Sequence, residues 1–293
     1  MKKVVVFGGA GFLGSYLVEE LAARGYETIV CDILEENPFE HDLITYQRCD
    51  IMNTIEVDSI INENIEIVYN LAGFANLEKA IHNPFETMEL NVLGNINILN
   101  AIRKQNISRF VYASSAYAMN KKGSFYGISK LTSEKMVEEF NKRYGLSYTI
   151  LRYGSVYSEL DFDNNYIYHL VAKAIKTGKI EHEGDGKEVR EYIHAHDAAI
   201  LSVDVIQSES FVNKQIVLTG AERMKRIELF KMIREILGKD LDICLNGGGY
   251  EHHYKYTPYS FEPSLSKKLI ANPHIDMGQG LLRCIKAVYN NDK

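Results

Sequence analysis

The chain has 293 residues, of which 46% are hydrophobic and 25% charged, and its formal net charge at pH 7 is -6. This composition is typical of a globular protein with a large core, and without a basic run it argues against nucleic acid as a partner. No apolar stretch of the sequence is long enough to span a bilayer, so a membrane protein is not expected either.

The first fifteen residues are predicted to form a strand and a glycine turn rather than a secretory signal peptide. The cysteines stand isolated in the sequence, with no C-x-x-C pair, at Cys31, Cys49, Cys244 and Cys284. Because isolated cysteines are typical of reduced thiols, the sequence predicts a cytoplasmic protein.

A strand and a helix joined by a glycine-rich turn open the chain. Residues 4–7 are an apolar, β-branched run too short for a stable helix, which is typical of a buried parallel strand. Glycines at positions 8, 11 and 14 follow, and residues 12–24 then carry apolar side chains at helical spacing. Glycines let the backbone approach a pyrophosphate, and the N-terminus of the helix offers unpaired N–H groups. The residues predicted to hold the phosphates are Gly8, Gly11, Phe12 and Leu13.

An acidic residue follows the second predicted strand, residues 27–31. This residue, Asp32, lies about 20 residues beyond the glycines, where a carboxylate accepts hydrogen bonds from a ribose diol. The same carboxylate repels the 2′-phosphate of NADP. A third strand at residues 46–48 precedes Asp50 and Ile51, which we expect to flank the adenine. The sequence therefore predicts NAD as the cofactor.

The first half of the chain continues to alternate between strands and helices. Strands are predicted at residues 67–71, 109–114 and 147–151, and helices at residues 84–105 and 126–144. This alternation is typical of a doubly wound parallel sheet, so we predict an α/β protein of the Rossmann type.

The pattern loosens after residue 152. Helices are predicted at residues 166–177, 197–207, 227–237 and 278–289, and short strands near residues 188–194, 216–218 and 242–245. We expect residues 1–155 to form the NAD-binding domain and residues 156–293 to form mainly a small C-terminal α/β lobe that binds substrate. A segment at about residues 180–220 is expected to return to the main sheet. Ligands of such sheets bind at the carboxyl ends of the strands.

The residues that suggest chemistry follow the fifth predicted strand. It ends at Ser114 and Ser115, and a Y-x-x-x-K motif places Tyr126 and Lys130 one turn apart on one helix face. A free phenol has a pKa of about 10, but a neighbouring ammonium lowers that pKa. Tyr126 is therefore predicted to take a proton from a sugar hydroxyl, or return it, as hydride moves at the same carbon. Ser115 is expected to hydrogen-bond that oxygen, with Ser114 as a partial substitute, and Lys130 to hold the nicotinamide ribose.

Taken together, these motifs resemble those of the extended short-chain dehydrogenase/reductases, in particular the sugar-nucleotide epimerase/dehydratase group. Ser115, Tyr126 and Lys130 are similar to the Ser-Tyr-Lys triad of that family, and the G-x-x-G-x-x-G turn to its cofactor fingerprint. Similar segments also occur at residues 70–73 (NLAG), 91–94 (NVLG), 151–157 (LRYGSVY) and 184–194 (GDGKEVREYIH). The resemblance covers nearly the whole chain.

The resemblance implies roles that the local patterns do not assign. Besides Tyr126 and Lys130, the cofactor contacts that it implies are Leu71, Ala72, Gly73, Asn91, Ser114 and Tyr153. In relatives, the arginine that matches Arg190 binds the diphosphate of a nucleotide sugar. The resemblance therefore implies a nucleotide sugar as the substrate. A surface salt bridge from Arg190 to Glu188 or Glu191 is the alternative. The other substrate contacts that it implies are Ser115, Tyr117 and Ser155.

The resemblance further implies a homodimer, formed by packing the helix at residues 84–105 and the Tyr126 helix into a four-helix bundle. No metal site is expected. His194 and His196 form an H-x-H pair, but the family keeps a histidine at the first of these positions for structural reasons.

Four departures from the family pattern bear on the substrate. The run between Ser115 and Tyr126 is short, which suggests an open pocket or an unusual sugar. A tyrosine that usually flanks the sugar is missing or displaced to Tyr117, and Ser155 replaces an asparagine that binds substrate. Ala116 and Tyr117 replace the acidic pair that 4,6-dehydratases use to eliminate water, which argues against dehydration.

The favoured function is that of an NAD-dependent enzyme acting on a ring hydroxyl of a nucleoside-diphosphate sugar, most simply a 4-epimerase. A reductase of a 4-keto-6-deoxy sugar nucleotide is the first alternative, although such reductases often use NADPH, which Asp32 disfavours. A non-catalytic nucleotide-sensing protein on the same fold is the second, although such proteins typically lose the tyrosine or the lysine. The sequence names neither the base nor the sugar.

Overall fold

A computed structural model of the protein describes residues 2–119, 123–238, 240–247, 255, 267–272 and 274–291. The first half contains five strands of the main sheet, β1 (Lys3–Phe7), β2 (Glu27–Asp32), β3 (Ile44–Arg48), β4 (Ile67–Asn70) and β5 (Arg109–Ser115). Its helices are α1 (Phe12–Ala23), α2 (Thr54–Ile60), α3 (Leu77–His82), α4 (Pro84–Met88) and α5 (Gly94–Ile102), with a π-helical segment at Glu89–Leu93 between the last two. A 3₁₀ turn at Ala116–Met119 follows β5.

The second half begins with the helix that carries the Y-x-x-x-K motif, α6 (Ser124–Tyr144), and with the strands β6 (Tyr148–Tyr153) and β7 (Ser155–Tyr157). There follow α7 (Tyr166–Thr177), β8 (Lys179–His182), β9 (Val189–Arg190), β10 (Tyr192–His194) and α8 (Ala195–Asp204), with 3₁₀ turns at Val205–Gln207 and Glu209–Phe211. The last elements are β11 (Lys214–Leu218), β12 (Met224–Lys225), α9 (Arg226–Leu237), β13 (Asp242–Leu245), β14 (Lys267–Leu269) and α10 (Met277–Asn291).

The described residues place eight strands in one sheet, in the order β14-β11-β6-β5-β4-β1-β2-β3, and every neighbouring pair is parallel. Three small pairs, β7 with β10, β8 with β13 and β9 with β12, lie outside it. Because all strands of the sheet point the same way, the carboxyl ends of β1, β4 and β5 meet at one edge.

Both faces of the sheet are buried, which explains the continuous apolar runs of its central strands. Along β1, Val5 and Phe7 face a cluster that α2, α5 and α6 cover, and Val4 and Val6 face a cluster with α1 and α8. Alternation with period two thus sends neighbouring valines to opposite cores.

A third cluster forms the core of the C-terminal lobe. It joins α7, α9 and α10 through buried side chains such as Val171, Phe230 and Leu281. The prediction of a Rossmann-type sheet with a small C-terminal α/β lobe is confirmed. Within the part of the chain that is described, no helix combines the length and apolar character that crossing a membrane requires.

Several elements differ from their predicted form. The helix predicted over residues 84–105 changes to π geometry at Glu89–Leu93 and ends at Ile102. The sequence reasoning missed α2 and α3, which are short, and β14, which is the edge strand of the sheet. Within the segment near residues 180–220, β11 lies in the main sheet beside β6, whereas β8 and β9 lie in small pairs.

Candidate active site

A large cleft opens at the carboxyl edge of the sheet, between the strand ends and the C-terminal lobe. Its volume is about 1580 Å³, well above the roughly 300–1,000 Å³ that is usual for one small ligand. The cleft therefore has room for two ligands side by side. All predicted site residues lie in the described part of the chain, and all but Asn91 line this cleft.

The glycine turn forms the floor at one end of the cleft. Gly8 has a φ of +75°, and a Cβ there would lie 2.7 Å from the Cα of Ala72. A Cβ on Gly14 would collide with the Gly8 carbonyl and lie 2.8 Å from the Cα of Gly9. Gly11 is the N-cap residue of α1 and has no side chain that could cap the first N–H groups of the helix. These residues fit a bound pyrophosphate, because the turn is tight and the helix N-terminus stays available.

The Asp32 carboxylate is held by the backbone around it. One oxygen accepts from the Ala10 amide at 2.9 Å and the other from the Ile33 amide at 2.8 Å. These bonds orient a negative group at the edge of the glycine turn, as recognition of a ribose diol requires. Asp50 and Ile51 line the same end of the cleft, where Ile51 packs over Gly94.

Asn91 has a different position from the one expected of a cofactor contact. Its Oδ1 accepts from the Phe74 amide at 2.7 Å, and its Nδ2 donates to the Phe74 carbonyl and to Ser129 Oγ. The side chain is 2% exposed, and a Cβ on Gly73 would collide with its Oδ1. The side-chain amide of Asn91 therefore connects the chain after β4 to α6. Leu71, Ala72 and Gly73 line the cleft.

The Ser-Tyr-Lys residues meet at the end of β5. Lys130 is 5% exposed, and its Nζ donates to the Ala113 carbonyl at 2.9 Å. The ammonium lies 5.9 Å from the centre of the Tyr126 ring and 5.2 Å from that of Tyr112. Burial lowers the pKa of Lys130 to about 8, against the opposing effect of Glu134. Ser115 Oγ accepts from the Tyr117 amide at 3.2 Å.

Ser114 has a partner that the sequence reasoning did not anticipate. Its hydroxyl donates to a carboxylate oxygen of Glu134 at 2.5 Å, and that carboxylate is fully buried. Ser114 lines the cleft, but because its hydroxyl is held by Glu134 it is a poor substitute for Ser115. Tyr153 also lines the cleft, and its hydroxyl shares a 2.7 Å hydrogen bond with Ser202.

The predicted substrate residues surround the other end of the cleft. The Tyr117 ring meets the Tyr126 ring edge-on, with centroids 6.3 Å apart. Ser155 begins β7, in register with Tyr192 of β10. Arg190 is 2% exposed, and its Nη1 donates to the Val189 carbonyl at 2.9 Å.

The neighbours of Arg190 argue against the alternative of a surface salt bridge. The buried carboxylate of Glu188 bonds to His182 at 3.1 Å. That of Glu191 bonds to Arg223 at 3.1 Å and Lys268 at 2.6 Å. Both acidic residues next to Arg190 thus have other partners.

Residues 4–220 match the model of the NAD dependent epimerase/dehydratase family. The chain belongs to this family. It is similar to the putative UDP-glucose 4-epimerase of Methanocaldococcus jannaschii, with 28% identity over 312 residues that cover 99% of each chain. The predicted family, and with it an NAD-dependent enzyme of the epimerase/dehydratase type, is confirmed.

Solved structures agree on the fold of the family. UDP-glucuronic acid 4-epimerase from Bacillus cereus, in complex with UDP-glucuronic acid and NAD, matches with a TM-score of 0.84 at 19% identity, covering 99% of both chains. UDP-glucose 4-epimerase from Thermotoga maritima, with UDP-glucose, matches with a TM-score of 0.82 at 22% identity, covering 99% of this chain and all of the other. At identities of 19% and 22%, these matches show that this chain has the same fold as the two enzymes.

In this family member, the lobe brings further residues to the cleft that no motif indicated. Arg226, the first residue of α9, stacks its guanidinium 4.1 Å from the Tyr166 ring and lies 5.8 Å from that of Tyr192. The β9–β12 pair sets Met224 opposite Arg190, so Arg226 lies on the same wall as Arg190. The sequence around Arg226 indicates the start of a helix, but it does not indicate that this arginine lies in the wall of the cleft.

A loop of the lobe reaches back to the cofactor end of the cleft. The Phe162 ring lies 5.5 Å from that of Phe12, and Asp163 bonds to Lys79 at 3.0 Å. His194 Nδ1 accepts from the His196 amide, so its Nε2 donates to the Glu159 carboxylate at 2.9 Å, and this contact lowers the pKa of Glu159 to about 2. Among the described residues, no cluster of three potential metal ligands occurs.

Proposed function

We propose that the protein is an NAD-dependent C4 epimerase of a nucleoside-diphosphate sugar. The observation that carries the proposal is the placement of Tyr126, Lys130 and Ser115 at one strand end, inside a cleft with room for both ligands. The names of the relatives support the position of the reaction on the sugar, because the three described above are 4-epimerases by name, one of them putatively.

Tyr126 holds and moves the proton of the sugar hydroxyl. The neighbouring Lys130 ammonium favours the phenolate form, which accepts that proton, and the phenol returns it later in the cycle. Ser115 hydrogen-bonds the same sugar oxygen and orients it. Bound NAD supplies reversible acceptance of a hydride at the ring carbon that carries this oxygen.

The cofactor end of the cleft is proposed to hold NAD through backbone groups and a few side chains. The proposed contacts are Gly8, Gly11, Phe12, Leu13, Asp32, Asp50, Ile51, Leu71, Ala72, Gly73, Ser114, Tyr126, Lys130 and Tyr153. Asn91 supports this end indirectly through Phe74.

The substrate end is proposed to bind the diphosphate and the sugar. Arg190 and Arg226 project from one wall, and two guanidinium groups match the two charges of a diphosphate ester. Ser115, Tyr117 and Ser155 are proposed to contact the sugar. In this arrangement residues 1–155 form the NAD-binding domain, and residues 156–293 mainly the substrate lobe, with β11 in the segment that returns to the sheet.

A homodimer is proposed from the outer surface of α4, the π segment and α6. Large apolar side chains are exposed there, including Phe85 at 76%, Leu93 at 50%, Ile128 at 56% and Leu131 at 40%. An apolar patch of this kind is typical of a protein interface.

A cytoplasmic location is proposed from the cysteines, which are free. Burial raises the pKa of the Cys49 and Cys284 thiols to about 12.

The test is to incubate the protein with a panel of sugar nucleotides and catalytic amounts of NAD, and to identify products by NMR. We expect interconversion of C4 epimers without net change in NAD. Stoichiometric consumption of NADH or NADPH with a keto-sugar nucleotide would instead indicate the reductase. Binding of the ligands without turnover on any of them would indicate a sensing protein.

A further inference from the structure

Glu134 lies at the centre of a buried network that the proposed chemistry does not use. It is 0% exposed, and its carboxylate pairs with the Arg152 guanidinium through bonds of 2.8 Å to Nε and 2.6 Å to Nη2. The same carboxylate accepts the Ser114 hydroxyl. Arg152 on β6 and Ser114 on β5 are register partners, so Glu134 binds two neighbouring strands at once.

The network lies one helical turn from Lys130. On α6, Tyr126, Lys130 and Glu134 are spaced by four residues and share one face. Lys130 bonds to the carbonyl of Ala113, and Glu134 bonds to the next residue, Ser114. Two successive bonds therefore fix α6 on the strand end directly before Ser115.

We propose that Glu134 is a positioning residue for the reaction, which fixes α6 on the end of β5 and places a carboxylate one helical turn from the Lys130 ammonium. The inference rests on the proposed function, since it assigns to Lys130 the task of stabilising the Tyr126 phenolate. Glu134 touches neither ligand and acts through Lys130 and Ser114.

Charge explains why a buried carboxylate is needed at this place. A buried ammonium tends to lose its proton, because burial disfavours the charged form. Among the described residues, the titratable groups that face Lys130 are Tyr112 from β5 and Tyr126 and Glu134 from its own helix, with Arg152 of β6 behind Glu134. Of these, Glu134 is the carboxylate, and it opposes the effect of burial.

The proposal predicts a narrower pH range of activity when the Glu134 charge is removed. Lys130 then loses its proton at lower pH, which moves the alkaline limb of the kcat profile down. A weaker ammonium stabilises the phenolate less, which moves the acid limb up. An opposite charge at close range shifts a pKa by about one to three units. Because Arg152 pairs with Glu134, we expect a narrowing of about one unit in Glu134→Gln, which leaves the Arg152 charge in place, and a smaller narrowing when both charges are removed.

The experiment compares Glu134→Gln, the double variant Glu134→Gln/Arg152→Met and the control Glu139→Gln. The double variant leaves no unpaired charge in the core, so it stays informative even if the single variant does not fold. Glu139 lies on the same helix with 42% of its side chain exposed, so its variant makes the same chemical change away from the network.

The first readout is independent of turnover. In protein labelled with ¹³C-lysine, the Lys130 Cε resonance is assigned by its loss in Lys130→Met and titrated without cofactor. We expect its midpoint to fall in Glu134→Gln, to fall by less in the double variant, where the positive charge of Arg152 is removed as well, and to stay unchanged in Glu139→Gln. An unchanged midpoint in the double variant overturns the proposal.

The second readout is the pH profile of kcat, with KM for the sugar nucleotide expected to stay within about twofold. A wild-type profile in the double variant also overturns the proposal, whatever the titration shows. Absence of turnover in the wild-type enzyme on every sugar nucleotide overturns the proposed function, and with it a role for Glu134 in that reaction. The Lys130 resonance is titrated without substrate, so it tests the effect of Glu134 on Lys130 even if no sugar nucleotide is turned over.

Discussion

At the cofactor end of the cleft the wall is mostly backbone, whereas at the substrate end it is mostly side chains. Gly8, Gly11 and Gly14 bring main-chain groups of β1 and α1 close to one another, and Asp32 is oriented by two amides. At the other end, Arg190 and Arg226 stand on the short β9–β12 pair and its following helix. The first end depends on the shape of the backbone and the second on charge and stacking. Variants at the two ends should therefore fail in different ways.

The largest effect is expected at the point where the two ends meet. Tyr126→Phe keeps the ring and its packing but removes the phenolic oxygen. We expect hydride transfer to fall toward the upper end of the roughly 10²–10⁴-fold range of positioned acid–base groups, while both ligands still bind. Single-turnover absorbance of the reduced nicotinamide measures this loss. Tyr144→Phe, on the same helix but 51% exposed, should leave the rate unchanged. A Tyr126→Phe enzyme that keeps more than about a tenth of the rate would refute the role of Tyr126.

Gly8→Ala tests the backbone character of the cofactor end. A Cβ at position 8 adds a collision with the chain at Ala72 to the unfavourable φ, and overpacking costs about 1–3 kcal/mol. We expect a loss of NAD affinity of at least tenfold or a lower melting temperature. Gly25→Ala is the matched control, because Gly25 also has positive φ (+80°) but nothing within 4 Å of the added Cβ. Equal effects of the two variants would mean that φ, and not close approach, dominates at Gly8.

Arg190→Ala tests the side-chain character of the substrate end. Loss of a charge-assisted hydrogen bond should weaken binding of UDP by about 1.5–3 kcal/mol and leave NAD binding unchanged. Calorimetry with UDP, UMP and uridine separates phosphate from base recognition, since uridine affinity should not change. The control is Arg234→Ala, an exposed arginine of α9. If Arg190→Ala binds UDP as the wild type does, the diphosphate assignment is wrong.

The smallest effect concerns the choice between cofactors. Asp32→Asn keeps the size of the side chain and removes the charge that repels a 2′-phosphate. We expect stripped wild-type protein to bind NAD more tightly than NADP, and the variant to narrow this preference by roughly tenfold, as one charge interaction of about 1.4 kcal/mol would do. Fluorescence titration with both reduced cofactors measures the ratio. Tighter binding of NADP by the wild type would contradict the prediction.

The difference between the two ends also explains which parts of the site the sequence revealed. Gly8, Gly11 and Asp32 belong to one strand–turn–helix–strand unit, so their spacing in the sequence is enough to predict their relative positions. Arg226 reaches the cleft because β12 pairs with β9, which lies more than thirty residues earlier, and no local spacing records that pairing. The long-range part of the substrate end was therefore missed.

Side-chain roles were harder to predict than positions. Asn91 and Ser114 match family motifs and lie close to the cleft, but hydrogen bonds to Phe74 and Glu134 occupy their polar groups. The sequence does carry a signal for Glu134, since an acidic residue on the helix face shared by Tyr126 and Lys130 needs a buried partner. The partner, Arg152, lies on another strand, which only the fold brings near.

The π-helical segment at Glu89–Leu93 accommodates a change in length that a regular α-helix does not. A π turn holds one residue more than an α turn, so deleting one residue here would let the helix close to α geometry with its two flanks in register. Gly94, which follows the segment, would then stay against Ile51 and the adenine wall would keep its shape. The contacts at risk are those of Asn91, which lies inside the segment and bonds to Phe74 and Ser129. We therefore expect related sequences that lack the extra residue to keep the adenine wall and to differ in how the chain after β4 is held on α6.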